Sequence, residues 1–202
     1  MVLEKRNPRR FVVLGGAGTI GRIIVRDLFE SHARNQILIA DFNGSAAEAA
    51  AKAYGSSRIA GAAADAGDPV KLARLLRNHR VVVNCTRHDL NLKVMEAALC
   101  AHVHYLDLGG LFTWTRRQLR LNRRFADAGI TAILGMGCAP GLTNVMAAEA
   151  ASHLERIDSI RIRVGSKDIN PRLCDFSFPY SPRTVIEELT LTPWKWSRGR
   201  FV

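Results

Sequence analysis

Hydrophobic and polar positions along the chain change period repeatedly, and each change predicts an element. Phe11 to Leu14 is an apolar run entering Gly15-Gly16, as a buried strand does when it meets a turn. Apolar positions then take helical spacing from about residue 19 to 34, and Gln36 to Asp41 reads as a second strand closed by an acid. An alanine-rich helix is predicted from Ser45 to about Tyr54, and a short strand near 58–63 that ends at Ala64-Asp65. Asp68-Pro69 is a helix start with proline in the first turn, followed by the inward candidates Leu72, Leu75 and Leu76. Val81 to Val83 reads as a fourth, fully buried strand with Asn84-Cys85-Thr86 at its end. A helix from about Asp89 to Ala101 leads to a strand from Val103 to Leu108, stopped by Gly109-Gly110. Trp114, Leu121, Phe125 and Ala128 then mark one side of a single amphipathic helix, Ile130 to Leu134 a sixth strand, and Val145 to Leu154 a further helix. Such βαβ alternation predicts an α/β fold of the Rossmann type: a doubly wound parallel sheet with right-handed crossovers and helices on both faces.

The first strand–turn–helix unit carries the sharpest chemistry. Gly16, Gly18 and Gly21 fit G-x-G-x-x-G, with Ala17, Thr19 and Ile20 between them, and Asp41 stands twenty residues past the last glycine. In that pattern Gly16 is expected to make the tight turn, Gly18 to leave room for a pyrophosphate, and Gly21 to let helix and strand approach. The helix starting near Thr19 presents unpaired N–H groups to phosphates. Asp41 is placed to accept from an adenosine ribose diol, and its charge repels a 2′-phosphate. With no Arg or Lys in Ala40-Asp41-Phe42-Asn43, NAD is expected in preference to NADP.

Ligands of such sheets lie beyond the carboxyl ends of the strands, so the other residues there are candidates. Asp65 is suited either to cap the next turn or to accept from an adenine amine. Asn84 and Thr86, with Cys85 between them, suit either a plain turn or bonds to the cofactor's ribose and pyrophosphate. The segment Gly135-Met136-Gly137-Cys138-Ala139-Pro140-Gly141 passes from the sixth strand into a helix. It serves either to cover a nicotinamide ring or to connect two domains. Asp107 reads as a turn-closing carboxylate before it reads as a base, and no catalytic acid or base is assigned.

Composition removes other classes. The 202 residues hold one substantial core, or one domain and part of another, and no run is long and apolar enough for a membrane span. The charged start from Met1 to Arg10 has no signal-peptide segment, so a cytoplasmic protein is expected. Cys85, Cys100, Cys138 and Cys174 contain no C-x-x-C, and His102 with His104 lacks further ligands, so no metal site is expected. Of the net charge of +11, much falls on Arg116, Arg117, Arg120, Arg123 and Arg124. These read as the solvated side of the amphipathic helix. No stacking platform accompanies them, which argues against a nucleic-acid partner.

Three segments together resemble the saccharopine dehydrogenase family, in its lysine 6-dehydrogenase-like branch. They are Val12-Val13-Leu14-Gly15-Gly16-Ala17-Gly18-Thr19-Ile20-Gly21, His104-Tyr105-Leu106-Asp107-Leu108-Gly109-Gly110, and Gly137-Cys138-Ala139-Pro140-Gly141-Leu142-Thr143-Asn144. Pro179-Tyr180-Ser181-Pro182-Arg183-Thr184-Val185-Ile186-Glu187-Glu188-Leu189 looks like that family's entry into its substrate domain, and the likeness runs from Arg10 to Val202. The resemblance implies NAD(P)-linked oxidation or reduction at a carbon–nitrogen bond of an amino-acid-like substrate. It places the glycine turn, Asp41, Asp65, Asn84, Cys85 and Thr86 around the cofactor, with Cys138, Ala139, Pro140 and Gly141 near the nicotinamide. Members of the family are longer, so residues 1–138 are expected to form the dinucleotide-binding domain and 139–202 the incomplete start of an α+β substrate domain. Arg183 suits a substrate carboxylate or a surface position, and a homodimer is a further expectation. A non-catalytic NAD(H)-binding module is the rival reading. A sugar-nucleotide enzyme on the same fold is disfavoured because no Tyr-x-x-x-Lys pair occurs.

Overall fold

In the computed structural model, residues 8–165, 182–192 and 194–201 are described. Cys174, the Pro179–Ser181 stretch and the Arg183 side chain, singled out above, lie outside the described residues. Six strands form one parallel sheet: β1 (Arg9–Leu14), β2 (Asn35–Asp41), β3 (Ile59–Ala63), β4 (Val81–Asn84), β5 (His104–Asp107) and β6 (Ala132–Ile133), in the order β3-β2-β1-β4-β5-β6. The predicted doubly wound α/β sheet is therefore observed.

Side-chain alternation along the strands feeds two cores. On one face Val13, Ile37, Ile39 and Ile59 pack with Val25 of α1 (Thr19–Ser31) and with Ala47 and Ala51 of α2 (Gly44–Lys52). On the other, Val12, Leu14, Ala40, Val82 and Tyr105 meet Leu72 and Leu76 of α3 (Pro69–Leu76) and Val94, Met95 and Ala98 of α4 (Asn91–Ala101). Period-two strands sandwiched between helices need both faces apolar, which explains the near-continuous runs in β1, β2 and β4.

Three local expectations change. The predicted helix over 114–128 is two: α5 (Phe112–Leu119) and α6 (Asn122–Asp127), broken at Arg120-Leu121. Gln118 of α5 and Phe125 of α6 are both buried. The first helix ends at Ser31, where Asn35 takes over by donating to Leu28 O at 2.7 Å. The last predicted helix starts earlier, as α7 (Leu142–Ser152). Beyond it α8 spans Pro182–Thr190, and β7 (Trp196–Ser197) pairs antiparallel with β8 (Arg200–Phe201). This C-terminal stretch lies against α5: Trp194 Nε1 donates to Thr113 Oγ1 at 3.1 Å, and the Phe112 and Phe201 rings are 4.3 Å apart. No helix among the described residues is long and apolar enough to cross a membrane.

Candidate functional site

The strand order reverses at β1, whose neighbours β2 and β4 lead away in opposite directions, so the crevice opens at the carboxyl ends of β1 and β4. The glycine turn sits there. Gly15, and not Gly16 as the motif alone suggests, makes the left-handed bend, with φ of 76°. Gly15 and Gly16 both donate to Ala40 O, at 2.8 and 3.2 Å, which fastens the turn onto the end of β2. Gly16 is kept small by its neighbours: a Cβ there would stand 2.7 Å from Val13 O. Gly21 behaves as expected, because a Cβ would collide with the Gly15 carbonyl and come within 2.6 Å of Gly16 Cα. At Gly18 the added Cβ would meet only Gly15 O at 3.2 Å and otherwise point into open space.

The helix starts differ in a way that matters. Asn43 caps α2 by accepting from Ala46 N at 3.0 Å, and Asp68 caps α3 by accepting from Lys71 N at 3.0 Å. Gly18, the N-cap of α1, offers no side chain, and no acid stands in that first turn. The N–H groups at the start of α1 therefore face the exposed surface of Gly18, Thr19 and Ile20 as donors for an anion. Asp41 lies beside them: its Oδ2 accepts from Ala17 N at 3.2 Å and its Oδ1 from Asn43 N at 3.1 Å. A carboxylate has about four lone-pair sites, so acceptor capacity remains for a diol.

The other candidates separate. Asp65 Oδ1 takes the Gly67 N–H at 2.7 Å, so one oxygen closes its own turn. Asn84 is buried and its amide turns inward, donating to Asn91 Oδ1 at 2.9 Å, while its Oδ1 accepts from Thr86 N and Oγ1 at 3.1 and 2.7 Å. Asn84 and Thr86 thus shape the end of β4 by bonding one another. Cys85 lies between them, and burial pushes its thiol up to about 12. Asp107 is fully engaged as a tie. Its Oδ1 accepts from Gly109 N and Gly135 N, both at 2.8 Å, and its Oδ2 from Tyr105 OH at 2.8 Å, Gln118 Nε2 at 2.6 Å and Asn91 Nδ2 at 3.3 Å. Burial and the adjacent Asp107 carboxylate hold the Tyr105 phenol far above its ordinary range. Five donors on one carboxylate make Asp107 a structural acceptor, not a base.

That tie anchors the second glycine segment at the carboxyl end of β5. Pro140 packs against Gly109 and Gly135, and Gly141, at φ 129°, starts α7 with Asn144 Oδ1 accepting from its N–H at 3.0 Å. Cys138 and Ala139 are exposed at the loop's outer side. Sequence reasoning missed the Asn84–Asn91–Tyr105–Asp107–Gln118 network. Its trace was Asn91 standing in register with Val94, Met95 and Ala98, on the inward side of α4, where a polar residue demands a partner. It also missed His88, buried in the single turn His88–Leu90, with Nε2 2.9 Å from Glu187 Oε2 of α8. Among the described residues no group of His, Cys, Asp and Glu is arranged to hold a metal.

The model of the saccharopine dehydrogenase NADP binding domain matches residues 11–133. Carboxyaminopropylagmatine dehydrogenase from Synechocystis is 26% identical over 194 residues, covering 89% of this chain and 47% of that protein. Carboxynorspermidine synthase from Vibrio alginolyticus is 28% identical over 163 residues, covering 72% of this chain and 38% of that protein. The chain thus spans about half or less of the length of these relatives. Saccharopine dehydrogenase (L-Glu forming) from Saccharomyces cerevisiae shares the fold, with a TM-score of 0.62 at 20% identity over 71% of this chain and 31% of that one. Motif, sheet order and the match over most of the sheet agree: this chain belongs to the saccharopine dehydrogenase NADP-binding domain family.

Proposed function

We propose that the chain carries the cofactor site of an NAD(P)-dependent oxidoreductase acting on a carbon–nitrogen bond of an amino-acid-like substrate. Residues 1–138 form the dinucleotide-binding domain in this reading, and 139–202 begin the substrate domain. The observation that carries it is the start of α1: uncapped N–H groups, open space at Gly18 and a carboxylate at Asp41, on the family's own domain. The turn and the first N–H groups of α1 bind the pyrophosphate, and Asp41 holds the adenosine ribose. A nicotinamide cofactor supplies the hydride acceptor or donor. The Cys138–Gly141 loop, drawn in by Asp107, shields the reacting end from water. The names of the two relatives, a dehydrogenase and a synthase of carboxylated amines, support a substrate bearing both carboxylate and amine.

Asp41 favours NAD, whereas the family's description names NADP. Calorimetry with both cofactors tests this directly: NAD is expected to bind at least about tenfold tighter, and Asp41→Ala to erase most of that preference. Gly18→Val is expected to weaken either cofactor at least about tenfold while leaving the melting temperature near wild type. Unchanged affinity in that variant would overturn the reading. A screen of amino acids and polyamine-type amines for absorbance change at the NADH band then separates an enzyme from a cofactor-sensing module, which binds without turnover.

A further inference from the structure

The basic charge noted in the sequence is distributed unevenly once the chain folds. On α5 and α6 it is largely answered: Arg124 pairs with Glu96 through both oxygens, Arg123 with Asp127, while Arg116 lies 4.7 Å over the Trp194 ring and Arg117 4.9 Å over Trp114. At the amino-terminal edge of the sheet, opposite the glycine turn, it is not. A cleft of about 490 Å³ opens there, lined by Pro8, Arg10, Asn78, His79, Arg80, His102 and His104. Among the described residues no carboxylate lines it, and neither Arg10 nor Arg80 forms an ion pair.

Backbone pairing fixes Arg10 and Arg80 side by side, with His104 next to them. Arg80 N donates to Arg10 O at 2.8 Å and His104 N to Arg80 O at 3.0 Å, so the starts of β1, β4 and β5 are hydrogen-bonded neighbours about 4.8 Å apart. Like charges held opposite one another on adjacent strands oppose folding. Thr131 N donates to His104 Nδ1 at 3.0 Å, which leaves the proton on Nε2 and makes that nitrogen a donor. Helix ends account for part of the cluster, since His102 caps α4 and His79 follows α3. They do not account for Arg10 and Arg80, which stand at strand starts.

We propose that this cleft is a second anion site, taking a small multivalent phosphate, on the edge of the sheet remote from the dinucleotide. A concave lining of donors from three chain segments, with no counter-charge among the described residues, suits a compact anion that several side chains bind at once. Among the described residues it contains no aromatic ring beyond the imidazoles on which a nucleic-acid base would stack.

The test is calorimetric titration of the chain with inorganic pyrophosphate at 0.15 M salt, a salt level at which weak surface attraction is screened. Because pyrophosphate also suits the glycine turn, the titration is run in the Gly18→Val background. One site is expected to persist there, and R10Q/R80Q added to it should weaken binding at least about tenfold. Both side chains are exposed, and the double variant should melt at or above the temperature of its parent. Retained pyrophosphate affinity in R10Q/R80Q, or loss of all binding in Gly18→Val alone, overturns the proposal. So does binding of a short DNA duplex, abolished by R10Q/R80Q, in a protein that leaves pyrophosphate unbound.

Discussion

Leu76 and Leu142 both stand in α-helices of this chain, yet Leu76 is fully buried and Leu142 is 57% exposed. The contrast extends to their surroundings. Residues 9–134 close around two cores, one on each face of the sheet, and every strand contributes to at least one of them. In α7 no residue is buried, and Ile160, Ile162 and Val164 beyond it are exposed as well. An apolar pattern produces packing only where another element supplies the opposing surface. For α3 the sheet does so; α7 owes its helix to an alanine-rich sequence and a cap at Gly141. The run Ile160-Arg161-Ile162-Arg163-Val164 alternates as a strand does but carries no ladder, since alternation specifies a strand only beside another strand.

Substitutions sharpen this comparison, and the largest effect belongs to the buried tie. Asp107→Ala leaves buried donors of Tyr105, Gln118, Gly109 and Gly135 without their acceptor, and chemical denaturation should show a loss of about 3–5 kcal/mol. Leu76→Ala should lose about 2–5 kcal/mol by transfer and cavity terms, whereas Leu142→Ala should stay within about 0.5 kcal/mol. Equal losses at the two leucines would break the comparison by showing that α7 is packed.

Protonation offers a smaller effect on stability. Tyr105 keeps its proton more tightly folded than unfolded, so the unfolded chain holds fewer protons once pH passes about 10. Stability from this group is complete below that pH and falls above it, and Tyr105→Phe should flatten the alkaline limb of the denaturation midpoint.

The smallest effect is on reactivity alone. With its thiol near 12, Cys85 is about one part in ten thousand thiolate at pH 8. Iodoacetamide followed by peptide mass mapping should modify exposed Cys100 and Cys138 first. Labelling of Cys85 should rise about tenfold per pH unit. Early modification of Cys85 would mean that the end of β4 opens readily.

Periodicity read the sheet correctly because a parallel strand buried on both faces leaves an apolar run that little else produces. The glycine pattern located the crevice for a similar reason: Gly21 has no space for any other side chain. The bend was misplaced by one residue, since Gly15 and Gly16 are indistinguishable as letters and only the backbone shows which has positive φ. Asn84 read as either a turn residue or a cofactor ligand at a strand end. Its partners, Asn91 and Tyr105, come from elements that meet it only in the fold.

By itself, then, the sequence determined the alternation of strands and helices, the parallel sheet and the position of the glycine turn, because each depends on local spacing and on steric limits within a few residues. Which polar groups bond one another, which arginines are neutralised and which stand together at the sheet's amino-terminal edge were decided by tertiary structure. Those outcomes follow from distances between segments far apart in the chain, and electrostatic and hydrogen-bond energies depend on distance.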